Sequence, residues 1–205
     1  MPFSRFNIEP VTDISLVANI ALAGLGWISL RRNKRAHYEA THDDLTGALN
    51  RRGLEELLAK SKRRPRAILS VDGTNQKAIN DNLGHRRGDE AIIGTANVLE
   101  ESLRPGDVLA RVGGDEFRIL LDTKQRRISE PLEPEAILSP VMSRIGPRTQ
   151  AFLEANPDLQ KQGFDIAVGG AVLREGMSLD EVDREADAAM DGNKATQHEA
   201  NGRYR

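Results

Sequence analysis

The chain has 205 residues, enough for one medium domain with a short appendage and marginal for two cores. A formal net charge of -2 and an aromatic content of 4% argue against a polycation or a base-stacking platform built for nucleic acid. The absence of cysteine excludes disulfides, thiolate metal sites and cysteine nucleophiles, and fits a reducing compartment.

Residues 1–13 form an arm too short for a sensor domain. Residues 14–30 carry no charge, and as a helix would be about 25 Å long, slightly short of a ~30 Å hydrocarbon core. Trp27 and the basic cluster Arg31, Arg32, Lys34 and Arg35 suit the membrane interface. The positive charge mostly follows the apolar run, whereas a cleavable signal peptide carries it before. The expectation is a single pass of the inner (cytoplasmic) membrane with the rest of the chain in the cytoplasm. Asn19 and two serines in the run leave a soluble amphipathic or helix-pairing segment, and a cytoplasmic protein, as the alternative. Residues 31–42 read as a basic juxtamembrane connector, and 43–205 as the domain. The stretch 31–66 has eleven Lys/Arg against five Asp/Glu, a charge suited to anionic lipid.

Inside the domain, Leu54, Leu57 and Leu58 predict a helix over 50–62. Residues 67–71 have strand length, and 75–82 predict a short helix stopped at Gly84. Ile92, Ala96, Leu99 and Leu103 share one face of a helix over 88–103. The runs 108–112 and 117–121 predict a hairpin whose turn is Gly113-Gly114-Asp115-Glu116, with the glycines supplying positive φ. Residues 123–135 read as an exposed polar loop. Residues 135–156 are helical in pattern but broken by Pro140 and Pro147, each suited to open a new helix. Residues 166–173 predict a strand containing Gly169 and Gly170. Ser178 and Glu181 form a capping box for a last helix with Leu179, Val182, Ala186, Ala189 and Met190 on one face. A hairpin amid alternating strands and helices predicts an α+β sandwich with a mixed or largely antiparallel sheet.

The chemistry concentrates on the hairpin. Adjacent carboxylates on a sharp turn repel, so Asp115 and Glu116 gain most from a cation. Asp72 ends the first strand, and converges with the turn if that strand lies beside the hairpin. Hard oxygen ligands suit Mg²⁺, commonly held by one or two carboxylates plus substrate phosphates. Taken alone, the turn also reads as a solvated pair of acids.

Its surroundings resemble the GGDEF family of diguanylate cyclases from about residue 40 onward. Asp43-Asp44-Leu45-Thr46-Gly47 with Asn50-Arg51-Arg52 is similar to that family's opening motif. Asp72, Lys77, Asn80-Asp81, Gly84-His85 and Gly88-Asp89 are similar to its second motif. Arg111-Val112-Gly113-Gly114-Asp115-Glu116-Phe117 is similar to its name motif, and Ala186-Asp187, Met190 and Lys194 to its closing one. Four motifs in order are a specific signal.

The resemblance implies a palm-like domain with a central, mostly antiparallel sheet flanked by helices. It implies condensation of two GTP into cyclic di-GMP at a homodimer interface, with Mg²⁺ or Mn²⁺. Asp72, Glu116 and the backbone of Gly73 would hold metal, with Asp115 beside them. Glu116, Asp115 and Lys77 would be catalytic. Asn80 and Asp89 would read guanine, and Lys77 and Lys194 would contact phosphates. Arg111 would brace the turn acids. Arg104 and Asp107, five residues before the turn, would form an inhibitory product site. From the residues alone, Asp89 also suits a helix N-terminus, Asn80 a local cap, and Lys194 a solvated last-turn lysine.

The chain departs from the family at Thr74 (an acid), Gln76 (a phenylalanine), Asp191 (a tyrosine) and His198 (an arginine). These departures motivate a rival reading: a catalytically silent domain that binds cyclic di-GMP through Arg104 and Asp107 and signals by contact.

Overall fold

The computed structural model describes residues 31–60, 64–121 and 133–202, with side chains followed to Thr196. The apolar run 14–30 and most of the polar loop 123–135 lie outside the described residues. Among the described residues, no helix is long and apolar enough to cross a membrane.

The chain divides into two compact units, residues 1–40 and 41–205. The basic connector is helical: a helix, α1, covers 31–41. The second unit holds β1 (Leu49–Asn50), α2 (Arg51–Lys60), β2 (Ala67–Gly73), α3 (Gln76–Leu83), α4 (His85–Ser102), β3 (Val108–Arg111) and β4 (Glu116–Leu121). It continues with α5 (Pro134–Ala155), α6 (Pro157–Lys161), β5 (Ile166–Val172) and α7 (Leu179–Gly202).

The sheet order is β1-β3-β4-β2-β5. β2 pairs antiparallel with both β4 and β5, β3 pairs antiparallel with β4, and only β1–β3 is parallel. The sequence AILSVDG of β2 is buried throughout, as a strand covered on both faces must be. Its side chains alternate between two cores. Ala67, Leu69 and Val71 join Phe117, Ile119 and Leu121 under α4 and α5. Ile68 joins Leu120, Ala110 and Ala171 against Leu54 of α2 and Val182 and Ala186 of α7. The result is a three-layer α+β domain, as the alternation of strands and helices predicts.

Three expectations need correction. Pro140 and Pro147 do not break the helical pattern: α5 runs unbroken from Pro134 to Ala155. The reason is tertiary. Val141, Ile145, Thr149 and Leu153 recur every four residues as a buried stripe, and Pro147 sits on the exposed side. Arg144 meanwhile donates from Nη1 to the Pro140 carbonyl at 2.5 Å. Second, α4 begins at His85, three residues before the expected start at Gly88. Third, the hairpin glycines do not supply positive φ, which among the described glycines occurs at Gly47, Gly84, Gly106, Gly163 and Gly176. At Gly113 a Cβ would lie 2.5 Å from Glu116 Oε2, the end of an exposed side chain that can turn aside.

The capping box forms as expected. Ser178 Oγ accepts from the Glu181 N–H at 3.2 Å, and Glu181 Oε2 accepts from the Ser178 N–H at 2.8 Å. The helix it opens lies directly on the sheet. A Cβ at Gly169 of β5 would fall 1.9 Å from the Met190 backbone nitrogen, so only glycine allows this approach.

Candidate active site

The sheet register builds the site. Asp72 at the end of β2 stands directly opposite Glu116 at the start of β4. Directly opposed residues have Cβ atoms about 4.5–5.5 Å apart, and like charges so placed destabilise a sheet. Asp72 is only 8% exposed, whereas Glu116 is exposed and Asp115 half-buried. Burial, then the charges of Asp72 and Glu116, push the Asp115 carboxyl above the usual range, with Lys194 pulling the other way. The Asp115 backbone is also tied in, its carbonyl accepting from the Gly73 N–H at 3.2 Å.

Lys194 closes the cluster from α7. Its Nζ lies 2.6 Å from Asp72 Oδ1. Its neighbour Asn193 donates from Nδ2 to the Val168 carbonyl at 2.8 Å, which fixes the helix against β5. Lys194 is therefore no merely solvated last-turn lysine.

The turn is braced from below by the opening motif. Arg111 donates from Nε and Nη2 to the Gly114 carbonyl at 3.0 and 2.6 Å, and from Nη1 to Asp43 at 2.9 Å. It thus holds the turn through a backbone carbonyl, not through the acids as the sequence suggests. Burial opposes ionisation of Asp43, but hydrogen bonds from Thr46 and Arg111 hold its carboxyl below the ordinary range. Arg51 adds a 2.6 Å bond to the Val112 carbonyl.

The two departures after Asp72 have structural partners. Thr74 is 2% exposed. Its Oγ1 accepts from the Asp165 N–H at 2.8 Å and donates to the Asp165 carbonyl at 3.2 Å, while its N–H donates to that same carbonyl at 2.9 Å. Asn75 takes a left-handed conformation with φ 60° and donates from Nδ2 to the Gly163 carbonyl at 2.7 Å. Gln76 donates from Nε2 to the Gly88 carbonyl at 2.9 Å, joining α3 to α4. These bonds tie the end of β2 to the segment before β5, and α3 to α4, the two helices that carry Lys77, Asn80 and Asp89.

Lys77 is exposed in the first turn of α3 and Asp89 in the first turns of α4. The Asn80 carboxamide packs on Gly88, where a Cβ would sit 1.8 Å from Asn80 Oδ1. Gly88 is thus a close-approach glycine, and it brings Asp89 beside Asn80.

A cavity of about 330 Å³ is lined by Leu121, at the end of β4 away from the turn, and by residues of α5. Arg104 and Asp107 line it too, with Arg66 and Arg144. Burial, and after it the nearby Arg104 guanidinium, lower the Arg144 pKa. Sequence reasoning missed Arg66 and Arg144; their only signal was a guanidinium in an apolar helix and one beside a strand. Arg104 also donates its backbone N–H to Asp107 Oδ2 at 2.9 Å.

Whether the acids suit a metal ion follows from their arrangement. Among the described residues, no three Asp, Glu, His or Cys side chains converge closely enough to hold an ion by themselves. Two opposed carboxylates with a third alongside fit an ion that takes its remaining oxygens from phosphates, which is the habit of Mg²⁺.

Comparison with known proteins agrees with this geometry. The family model described as "Diguanylate cyclase, GGDEF domain" matches residues 40–200. The probable diguanylate cyclase DgcT of Escherichia coli (strain K12) is 31% identical over 160 residues, covering 74% of this chain and 33% of that protein. The matched regions span between 11% and 33% of the curated relatives' own length. The GGDEF domain of TpbB from Pseudomonas aeruginosa superposes with a TM-score of 0.55 at 30% identity, covering 76% of this chain and 89% of that one. The coiled coil and GGDEF domain of DgcB from Caulobacter crescentus, in complex with c-di-GMP, gives a TM-score of 0.66 at 23% identity. That pair covers 89% of this chain and 95% of the other, a likeness of fold alone. A match over most of the chain, joined to a β2–β4 register that brings the named turn against Asp72, shows that this chain belongs to the GGDEF family of diguanylate cyclase domains.

Proposed function

We propose that the chain condenses two molecules of GTP into cyclic di-GMP and two pyrophosphates, with two copies meeting face to face. The observation that supports it most is the opposition of Asp72 and Glu116 in the β2–β4 register, with Lys194 on Asp72. Each copy binds one GTP. Asn80 and Asp89 take the guanine edge; a carboxylate accepts from the ring N–H and the amino group, a donor pair adenine lacks. Lys77 and Lys194 hold the triphosphate. Asp72 and Glu116, with the Gly73 backbone, would hold Mg²⁺ or Mn²⁺. When bound, the ion supplies neutralisation of charge on the phosphates.

The 3′-oxygen of one GTP forms a bond to the α-phosphorus of the other. The bond to the pyrophosphate oxygen breaks, and pyrophosphate leaves. Asp115, its carboxyl pushed up by burial and by Asp72, is suited to accept the 3′-hydroxyl proton. The same step with roles exchanged closes the ring. The protein contributes chiefly positioning and electrostatic stabilisation. Purified protein given GTP and Mg²⁺ should yield cyclic di-GMP, and Glu116→Gln should lower the rate by at least ~100-fold. Absence of product at high protein concentration sinks the cyclase reading.

The cavity holding Arg104, Asp107, Arg66 and Arg144 supports binding of the guanine and phosphate groups of the product, and hence inhibition. It also favours the second reading, a receptor without turnover. Calorimetry with cyclic di-GMP separates them: binding in a protein that makes none supports the receptor. The uncharged run 14–30 supports a membrane anchor with the domain on the cytoplasmic side. Fractionation of cells expressing the chain with and without residues 1–35 tests this.

A further inference from the structure

Arg118 of β4 is the one long side chain in a row of small ones. Directly opposite it are Ala110 of β3 and Ser70 of β2, and Ser70 in turn faces Gly169 of β5. Directly opposed residues share one face of a sheet, and Ala110 packs with Val182 and Ala186, so this face is the one under α7. The small residues let the helix approach, and the arginine grips it. Arg118 Nε donates to Asp183 Oδ1 at 2.7 Å, and Nη2 lies 2.8 and 3.0 Å from the two carboxylate oxygens of Asp187. Nη1 donates to the Phe117 carbonyl at 3.4 Å. The arginine side chain is 14% exposed, against 41% and 39% for the two carboxylates, so the grip is made at the sheet and not out in solvent.

Asp183 and Asp187 lie one turn apart on α7. A planar guanidinium bonded to both fixes the helix in rotation and along its axis, which a single ion pair does not. Lys194 follows Asp187 by two turns on the same face, about 10 Å along the axis. There its Nζ lies 2.6 Å from Asp72 Oδ1, and its neighbour Asn193 pins the helix at one further point, the Val168 carbonyl.

We propose that Arg118 is a positioning residue for the nucleotide: its fork on Asp183 and Asp187 sets the register of α7 that presents Lys194 to the triphosphate. Arg118 acts through Lys194 and on no reacting atom itself. This inference rests on the reading of Lys194 as a triphosphate contact.

The test is a double-mutant cycle on the full chain. The probe is α,β-methylene-GTP with Mg²⁺, whose α–β bridge does not break, and binding is read by calorimetry. Arg118→Leu should weaken binding about fivefold and Lys194→Met about tenfold, and the double variant should bind within about twofold of Lys194→Met alone. Arg118→Lys keeps the charge without the fork, and should fall between Arg118→Leu and the unaltered chain. Asp183→Ala together with Asp187→Ala separates position from charge, and serves if Arg118→Leu does not fold. Removing two anions by itself favours a bound triphosphate, whereas loss of the fork should weaken binding about threefold. Unchanged binding in Arg118→Leu, full additivity in the double variant, or unchanged or tighter binding in the aspartate pair overturns the proposal. If the unaltered chain does not bind the probe, or Lys194→Met binds it equally well, the nucleotide reading fails and takes the inference with it. If Lys194→Met binds weakly while the cycle is additive, only the positioning role fails.

Discussion

Thr74 shows what one side chain can hide. By sequence it is a lost acid, two residues after Asp72. In the fold it is a buried latch whose hydroxyl serves both the N–H and the carbonyl of Asp165. That partner lies 91 residues away, so no local pattern could announce it. Gln76 is the same kind of case, an apparent loss of an apolar anchor that instead bonds the Gly88 carbonyl. Asp72, Lys77, Asn80, Asp89 and the turn acids were legible because their motifs are local in sequence. Restoring the family acid by Thr74→Asp should therefore harm the protein. A carboxylate there would face the carbonyl oxygens of Gly163 and Asp165 in a site that is 2% exposed. The expected loss is about 2–3 kcal/mol of unfolding free energy, read by urea denaturation, with no gain in turnover.

At the scale of elements, most strands and helices were legible within a few residues, because hydrophobic period and turn residues act locally. The misreading of α5 has a physical cause: the stripe Val141, Ile145, Thr149 and Leu153 is buried by tertiary packing, which holds the helix through the half-buried Pro140 and the exposed Pro147. The link between α4 and α6 was not legible either. Arg87 bonds Asp158 at 2.6 and 2.7 Å and also reaches Asn156 and Glu90. Hydrogen bonds from Arg87 hold the Asp158 carboxyl down at about 2, from an ordinary 3.8. A depressed carboxyl stabilises the fold above its unfolded value, and that contribution disappears as pH falls through the folded one. Asp158→Asn should thus cost stability between pH 5 and 7, and the difference from the unaltered chain should shrink below about pH 4 and vanish only near pH 1, below both carboxyl values. The carboxylate is 46% exposed, so solvent screening limits the effect to about 1 kcal/mol. Chemical denaturation of both proteins from pH 7 down to about pH 1 measures it; a difference as large at pH 2 as at pH 6 contradicts the assignment.

For the whole molecule, the central fact is that β2 lies between β4 and β5 in the sheet and carries Asp72 next to its last residue. Its neighbours β4 and β5 carry the turn acids and the seat of α7, so site and core are one construction. The α+β class and the antiparallel bias were legible from the hairpin amid alternating elements. The strand order was not, because pairing partners are set by long-range packing. The contact of α7 with β5 can be tested through Gly169→Ala. The added Cβ would meet the Met190 backbone 1.9 Å away, so α7 must shift. The expected outcome is a loss of about 2–4 kcal/mol of stability by denaturation, together with weaker GTP binding.

The seat of α7 on Gly169 has a mechanical consequence. The helix is a lever whose fulcrum is a single hydrogen atom in place of a side chain, with Met190 over the pivot and Lys194 one turn further along the arm. A shift of α7 on that seat would therefore move Lys194 relative to Asp72.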